Sequence, residues 1–119
     1  MYDLVIKNGM VVTAVSTTQA DIGIIGKQIA AVGQNLSGKR EIDAAGKLVT
    51  PGAIDVHVHL EMPIGDFTSA DDFYTGTRAA AFGGTTTIID FVETGVDETM
   101  LDALAARRAK ADPKVLIDY

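Results

Sequence analysis

The sequence predicts an all-β start, a small sheet or half of a β-sandwich over residues 1–50, followed by an α/β segment over residues 51–119. Three observations carry this. Short apolar runs up to Thr50 are punctuated by Asn-Gly, Gly-Lys and Ala-Gly turns. Pro51-Gly52 breaks that rhythm. Beyond it, strand-like and helix-like stretches alternate as β-α-β-α-β, the pattern of a parallel sheet with right-handed crossovers.

In the first part, Asp3 to Lys7 and Met10 to Ala14 read as strands around Asn8-Gly9, a strong hairpin signal. Asp21 to Ile25, Gln28 to Val32, Glu41 to Asp43 and Lys47 to Thr50 continue the series, with turns at Gly26-Lys27 and Ala45-Gly46. Asn35-Leu36-Ser37 has the pattern of a glycosylation acceptor and reads as a turn after a strand.

In the second part, an apolar strand over Ala53 to His59 leads to a helix over Ala70 to Phe82. Ser69 is placed to cap that helix, and Asp71 and Asp72 fall in its first turn, where the helix dipole favours negative charge. Gly83-Gly84 stops it. These glycines follow a helix and precede a strand, the reverse of a phosphate-binding loop, so they read as structural. A strand over Thr85 to Val92 is followed by a second helix over Asp97 to Ala111. Its apolar stripe of Met100, Leu101, Leu104 and Ala105 is expected in the core, and Arg107, Arg108 and Lys110 at a solvated, dipole-favoured end. Lys114 to Tyr119 reads as a third strand. A parallel strand buried on both faces is an unusual terminus, and a closed eight-stranded barrel needs about 200 residues or more, so the sheet is either small and open or the front of a larger one.

Bulk composition narrows the function. With 47% hydrophobic and 22% charged residues, the 119-residue chain has ordinary globular values. A net charge of −6, with ten Lys and Arg scattered along the chain, argues against nucleic-acid and anionic-membrane partners, which need clustered cations. The absence of cysteine excludes disulfides and thiolate metal sites, which leaves histidine and carboxylate as metal ligands. No leader-like segment and no apolar run of about 18 residues is present, so a cytoplasmic location is expected.

Both histidines of the chain lie in one stretch, PGAIDVHVHLEMP, residues 51–63. In a strand, residues two apart project to the same side about 6.6 Å apart along the chain. His57 and His59 can therefore converge on one cation while Val56 and Val58 face the helices. The carboxyl end of a parallel strand is also where α/β sheets place their sites. Asp55 shares the histidines' side and suits either a bond to an imidazole or a structural bond near the strand. Asp90 is expected as a strand-end hydrogen-bonding residue.

These residues carry a resemblance. VTPGAIDVHVHLEMP, SADDFYTGTRAAAFGGTTTIIDF and VLIDY, together with the β-rich start, resemble the front quarter of a cyclic-amide hydrolase of the amidohydrolase superfamily, in its dihydropyrimidinase and hydantoinase group. The resemblance implies a β-sandwich built from both chain ends, with residues 1–50 as its first part. It implies a (β/α)8 TIM-like barrel, of which residues 51–119 would be the first two to three βα units. It further implies a homotetramer and two Zn2+ ions bridged by a carboxylated lysine. His57 and His59 match the HxH pair that binds the more buried metal. The lysine, two further histidines and the catalytic aspartate are expected after Tyr119, so no catalytic residue is expected within this chain. The implied reaction opens a hydantoin or dihydropyrimidine ring through a metal-activated hydroxide.

Position 61 separates relatives. Dihydroorotase-like and allantoinase-like members commonly carry arginine there to grip an anionic substrate, whereas Glu61 suits an uncharged cyclic diamide. The loop from Met62 to Phe67 matches the loop contacting the substrate's exocyclic substituent. Ile64 is the best candidate contact, with Met62 and Phe67 behind it. Ala53, in place of a glycine common in relatives, and Asp66-Phe67 depart from the pattern. The resemblance leaves a dihydropyrimidinase-like assembly protein without catalysis as an alternative, although retention of both histidines argues against it. The chain alone is expected to be inactive and to expose apolar surface, since neither sheet nor sandwich is closed.

Overall fold

A computed structural model describes residues 1–119, which form two compact units, Met1–Pro51 and Gly52–Tyr119. No helix is long and apolar enough to cross a membrane.

The first unit is a single five-stranded sheet of β1 (Tyr2–Val12), β2 (Thr17–Ile25), β3 (Gln28–Gly33), β4 (Gly38–Asp43) and β5 (Leu48–Val49). The order is β3-β2-β1-β4, with β5 beside the far end of β1; β1, β2 and β3 run antiparallel, and β4 and β5 lie parallel to β1. Val11, Ala20 and Ile22 form its core, with Ile6, Ile24 and Val49 packed on them. Asn8-Gly9 does not turn the chain, contrary to expectation. β1 runs straight through it, and the register against β2 slips between Ile6 and Gly9, with Asn8 at φ 62°. Asparagine tolerates that left-handed conformation, so the pair makes a bulge inside one long strand. Asp21 stabilises the bulge by accepting the Asn8 amide at 2.8 Å. The hairpin lies instead at Thr13–Ser16, where the Thr13 hydroxyl accepts the Ser16 amide. Asn35, at φ 57°, sits in the bend after β3.

The second unit runs β6 (Ala53–Val58), a small hairpin of β7 (Pro63–Ile64) and β8 (Phe67–Thr68), α1 (Phe73–Phe82), β9 (Thr85–Asp90) and α2 (Met100–Ala111). β6 and β9 are parallel. Leu60, Phe73, Ile88 and Ala111 form the core, joined by Val58, Val115 and Ile117. Val56, expected against the helices, is exposed.

Helix α1 starts later than expected because Asp72, rather than Ser69, caps it. Asp72 accepts the Thr75 amide at 2.8 Å while the Thr75 hydroxyl accepts the Asp72 amide, a reciprocal capping box. Ser69 is engaged elsewhere, since its hydroxyl accepts the Met62 amide and closes the β7–β8 loop. Gly84, at φ 85°, supplies the left-handed step into β9.

Helix α2 starts at Met100, capped by Thr99. Its inner face is not the expected stripe. Ala103 and Ala111 are buried, whereas Met100, Leu101 and Leu104 are exposed. Residues 103, 107 and 111 stand one above the other at spacing i, i+4, so Arg107 is carried inward rather than to a solvated end. The last segment, expected as a strand, makes one parallel bridge between Asp118 and Thr87. The buried Thr77 hydroxyl holds that segment, accepting the Leu116 amide at 3.1 Å while donating to the Phe73 carbonyl.

Candidate metal centre

The end of β6 is shaped by a bulge. Asp55 pairs with Ile88 and Val58 with Asp90, so β6 uses three steps where β9 uses two. Bulges re-aim side chains beside functional sites. The Asp55 carboxylate accepts the freed His57 amide at 3.1 Å, which makes Asp55 a backbone support for this strand end and not a partner of an imidazole.

His57 and His59 project together beyond the bulge. Their Nε2 atoms lie 3.1 Å apart, and the ring centroids 5.1 Å apart. Without a metal this spacing is an N–H···N hydrogen bond, with the donor set by the tautomers. It also fits a shared cation: two nitrogens at about 2.0–2.1 Å from a tetrahedral zinc stand about 3.3–3.4 Å apart. Nowhere does a set of three or more His, Asp or Glu side chains converge, so the pair offers two nitrogens and no further side-chain ligand.

Phe91, directly after β9, covers this pair. Its ring centroid is 4.5 Å from that of His57 and 4.9 Å from that of His59, nearly parallel to the latter at 22°. The signal lay in the pairing of strands: Asp90 sits opposite Val58, so the next residue falls beside His59.

Two charged contacts fix the strand end below the imidazoles. The Arg107 guanidinium holds both Asp90 carboxylate oxygens, donates to the Leu60 carbonyl, and lies over the Phe73 ring at 4.6 Å. Asp90 is thus the strand-end hydrogen-bonding residue expected, with a partner the sequence placed in solvent. Glu61, at φ 46°, pairs with Lys114 and accepts the Phe73 amide at 3.4 Å. The Lys114 ammonium, then the Phe73 amide, hold the Glu61 carboxyl below its ordinary range, while Glu61 and Asp72 raise Lys114. The Glu61 carboxylate is therefore committed within the fold.

The proposed substrate-loop residues divide. Met62 lines a shallow open hollow together with His59, Phe91 and Arg107. Ile64 and Phe67 pair across the β7–β8 hairpin and point to solvent, 55% and 78% exposed, outside that hollow.

Known proteins share this architecture. Residues 48–117, more than half of the chain, match the Amidohydrolase family. The chain is 51% identical over 116 residues to a D-hydantoinase of Geobacillus stearothermophilus, covering 96% of this chain and 25% of that protein. It is 42% identical over 123 residues to a dihydropyrimidinase of Rattus norvegicus, covering 98% and 24% respectively. The crystal structure of a D-hydantoinase from Bacillus sp. AR9 superposes with a TM-score of 0.94 at 51% identity, over 98% of this chain and 26% of that one. The chain thus spans about a quarter of the length of the relatives it matches. On the family match and the shared fold, this chain belongs to the amidohydrolase family.

Proposed function

We propose that the chain is the amino-terminal portion of a metal-dependent cyclic-amide hydrolase that opens hydantoin or dihydropyrimidine rings. The observation that carries this reading is the convergence of the His57 and His59 Nε2 atoms at the carboxyl end of β6, in a chain 51% identical to a D-hydantoinase. In this reading residues 1–50 belong to a composite β-sandwich, and residues 51–119 begin a (β/α)8 barrel. The complete protein is a cytoplasmic homotetramer with two Zn2+ ions per site, and a carboxylated lysine, two more histidines and the catalytic aspartate come from later strands.

Within this chain His57 and His59 would hold one zinc through neutral Nε2 atoms. When bound, the metals supply Lewis acidity toward the ring carbonyl and lower the pKa of water. The remaining work of the chain is positional. The Asp55 carboxylate and the Arg107 contact at Leu60 hold the backbone on either side of the two ligands. Met62 borders the hollow at His59, while Ile64 and Phe67 form an apolar hairpin tip suited to an exocyclic substituent. An uncharged cyclic diamide fits the lack of an arginine at position 61.

The test is hydantoin-opening activity of the complete protein with His57→Ala or His59→Ala. Both are expected to be inactive and to stay inactive on adding zinc at ordinary concentration. Full activity in either variant sinks the assignment.

A further inference from the structure

We infer that Phe91 is a positioning residue for the two imidazoles, resting on the reading of His57 and His59 as metal ligands. A histidine ring turns about a broad, two-fold terminal torsion, so lone pairs that must meet at one cation need a restraint. The usual restraint is a hydrogen bond from the second ring nitrogen to a carboxylate or carbonyl. Here neither imidazole has one; their only side-chain hydrogen bond is to each other. What touches both is the Phe91 ring, at 4.5 Å and 4.9 Å between centroids and inclined 36° and 22°. These separations lie in the range of favourable offset aromatic contacts.

The ring is itself held from behind. Phe91 follows Asp90, whose carboxylate is gripped by Arg107 and whose position pairs with Val58 of β6. The backbone that delivers the ring is therefore registered to the strand that delivers the ligands. Phe91 is 42% exposed and, besides meeting both imidazoles, borders the hollow shared with His59 and Met62. A flat ring can brace two imidazole planes at once, whereas an aliphatic side chain of similar volume fills the space without fixing either.

The experiment is a Co2+ titration of the intact metal-free protein, read by the visible absorption of the bound cobalt. Phe91→Leu, Phe91→Tyr, His57→Ala and His59→Ala are compared with the parent. Phe91→Leu is expected to bind Co2+ about tenfold more weakly with an altered absorption envelope, the size of effect seen when a ligand's supporting partner is removed. Phe91→Tyr keeps the ring face and is expected within about twofold of the parent, because the stacking contact is retained. The thermal unfolding midpoint of each metal-free variant reports its fold. If Phe91→Leu does not fold, Phe91→Met carries the same expectation, since it keeps flexible apolar volume without a ring face. Leucine or methionine binding like the parent overturns the inference, as does tyrosine binding as weakly as leucine. Loss of Co2+ binding in the histidine variants with no change in Phe91→Leu refutes the role of Phe91 alone. Unchanged binding in both histidine variants refutes the ligand reading and this inference with it.

Discussion

The guanidinium of Arg107 grips the carboxylate of Asp90 through two donors, Nε to Oδ2 at 2.5 Å and Nη2 to Oδ1 at 2.9 Å, with side chains only 16% and 6% exposed. The same Nη2 reaches the Leu60 carbonyl, so one side chain of α2 joins the ends of β6 and β9. Removing it leaves a buried carboxylate without a counter-charge. Arg107→Ala is expected to destabilise the second unit by about 3–5 kcal/mol, measured by urea unfolding. Arg107→Lys should recover less than half of the loss, because an ammonium cannot span both carboxylate oxygens and the Leu60 carbonyl. An alanine variant within 1 kcal/mol of the parent, about the worth of an exposed ion pair, would show the contact to be a surface pair.

The Thr77 hydroxyl offers a separate test of how the last segment is attached. It is fully buried, accepts the Leu116 amide at 3.1 Å and donates to the Phe73 carbonyl. Thr77→Val keeps the shape and removes the acceptor, leaving a partly buried N–H unpaired, at an expected cost of about 1–3 kcal/mol. Thr77→Ser should retain most of the stability by keeping the acceptor. Amide hydrogen exchange at Leu116 checks the cause directly: it should accelerate in the valine variant and not in the serine variant.

Glu61 ties the loop after β6 to the start of α1 by charge. Its carboxylate meets Lys114 and the first amide of α1. Glu61→Arg sets a cation against Lys114 and the positive helix end. It is expected to lower the unfolding midpoint more than Glu61→Gln does. Equal midpoints for the two variants would show that charge at this position has no structural role.

These contacts mark where the sequence was legible. Strand and helix order could be read because glycine turns and apolar periodicity act locally, and the approach of the two imidazoles because spacing by two on a strand puts both on one side. Asn8-Gly9 misled because a left-handed Asn-Gly serves a bulge as well as a hairpin, and only Asp21, thirteen residues away, decides between them. The face of α2 misled for a related reason. Its leucines outweigh its alanines in any hydrophobic count, but Ala103 and Ala111 allow the close approach, and Arg107 between them is acceptable inside only because Asp90 waits on another element. Ser69 was a sound cap by type, yet Met62 had already claimed it. Each miss turns on a partner distant in sequence. An aromatic such as Phe91 at a strand end reads as core from sequence, and only the neighbouring strand shows that it meets imidazoles.

The first unit contains an acid-sensitive contact whose direction can be worked out. Asp21 is buried; one carboxylate oxygen accepts the Asn8 amide at 2.8 Å and the other the Leu36 amide at 3.1 Å. The Asn8 amide above all, then Leu36 and the nearby Lys7, hold its pKa below the ordinary value of 3.8 against the opposing effect of burial. A carboxyl depressed in the folded state contributes stability that is complete above the unfolded pKa, about 4, and is lost as pH falls through the lower folded value. Asp21→Asn removes that linkage. Its unfolding midpoint should lie below the parent's at pH 7, and the gap should narrow as pH falls from about 4 toward 2, where the parent's carboxyl also becomes protonated. Asp3 and Asp43, likewise depressed, by Lys39 and by Asn8, add acid sensitivity to both proteins. The difference between the two curves therefore isolates position 21. A gap of constant size down to pH 2 would show that the ionised carboxylate contributes nothing beyond its shape, and that the bulge at Asn8 is held by the backbone alone.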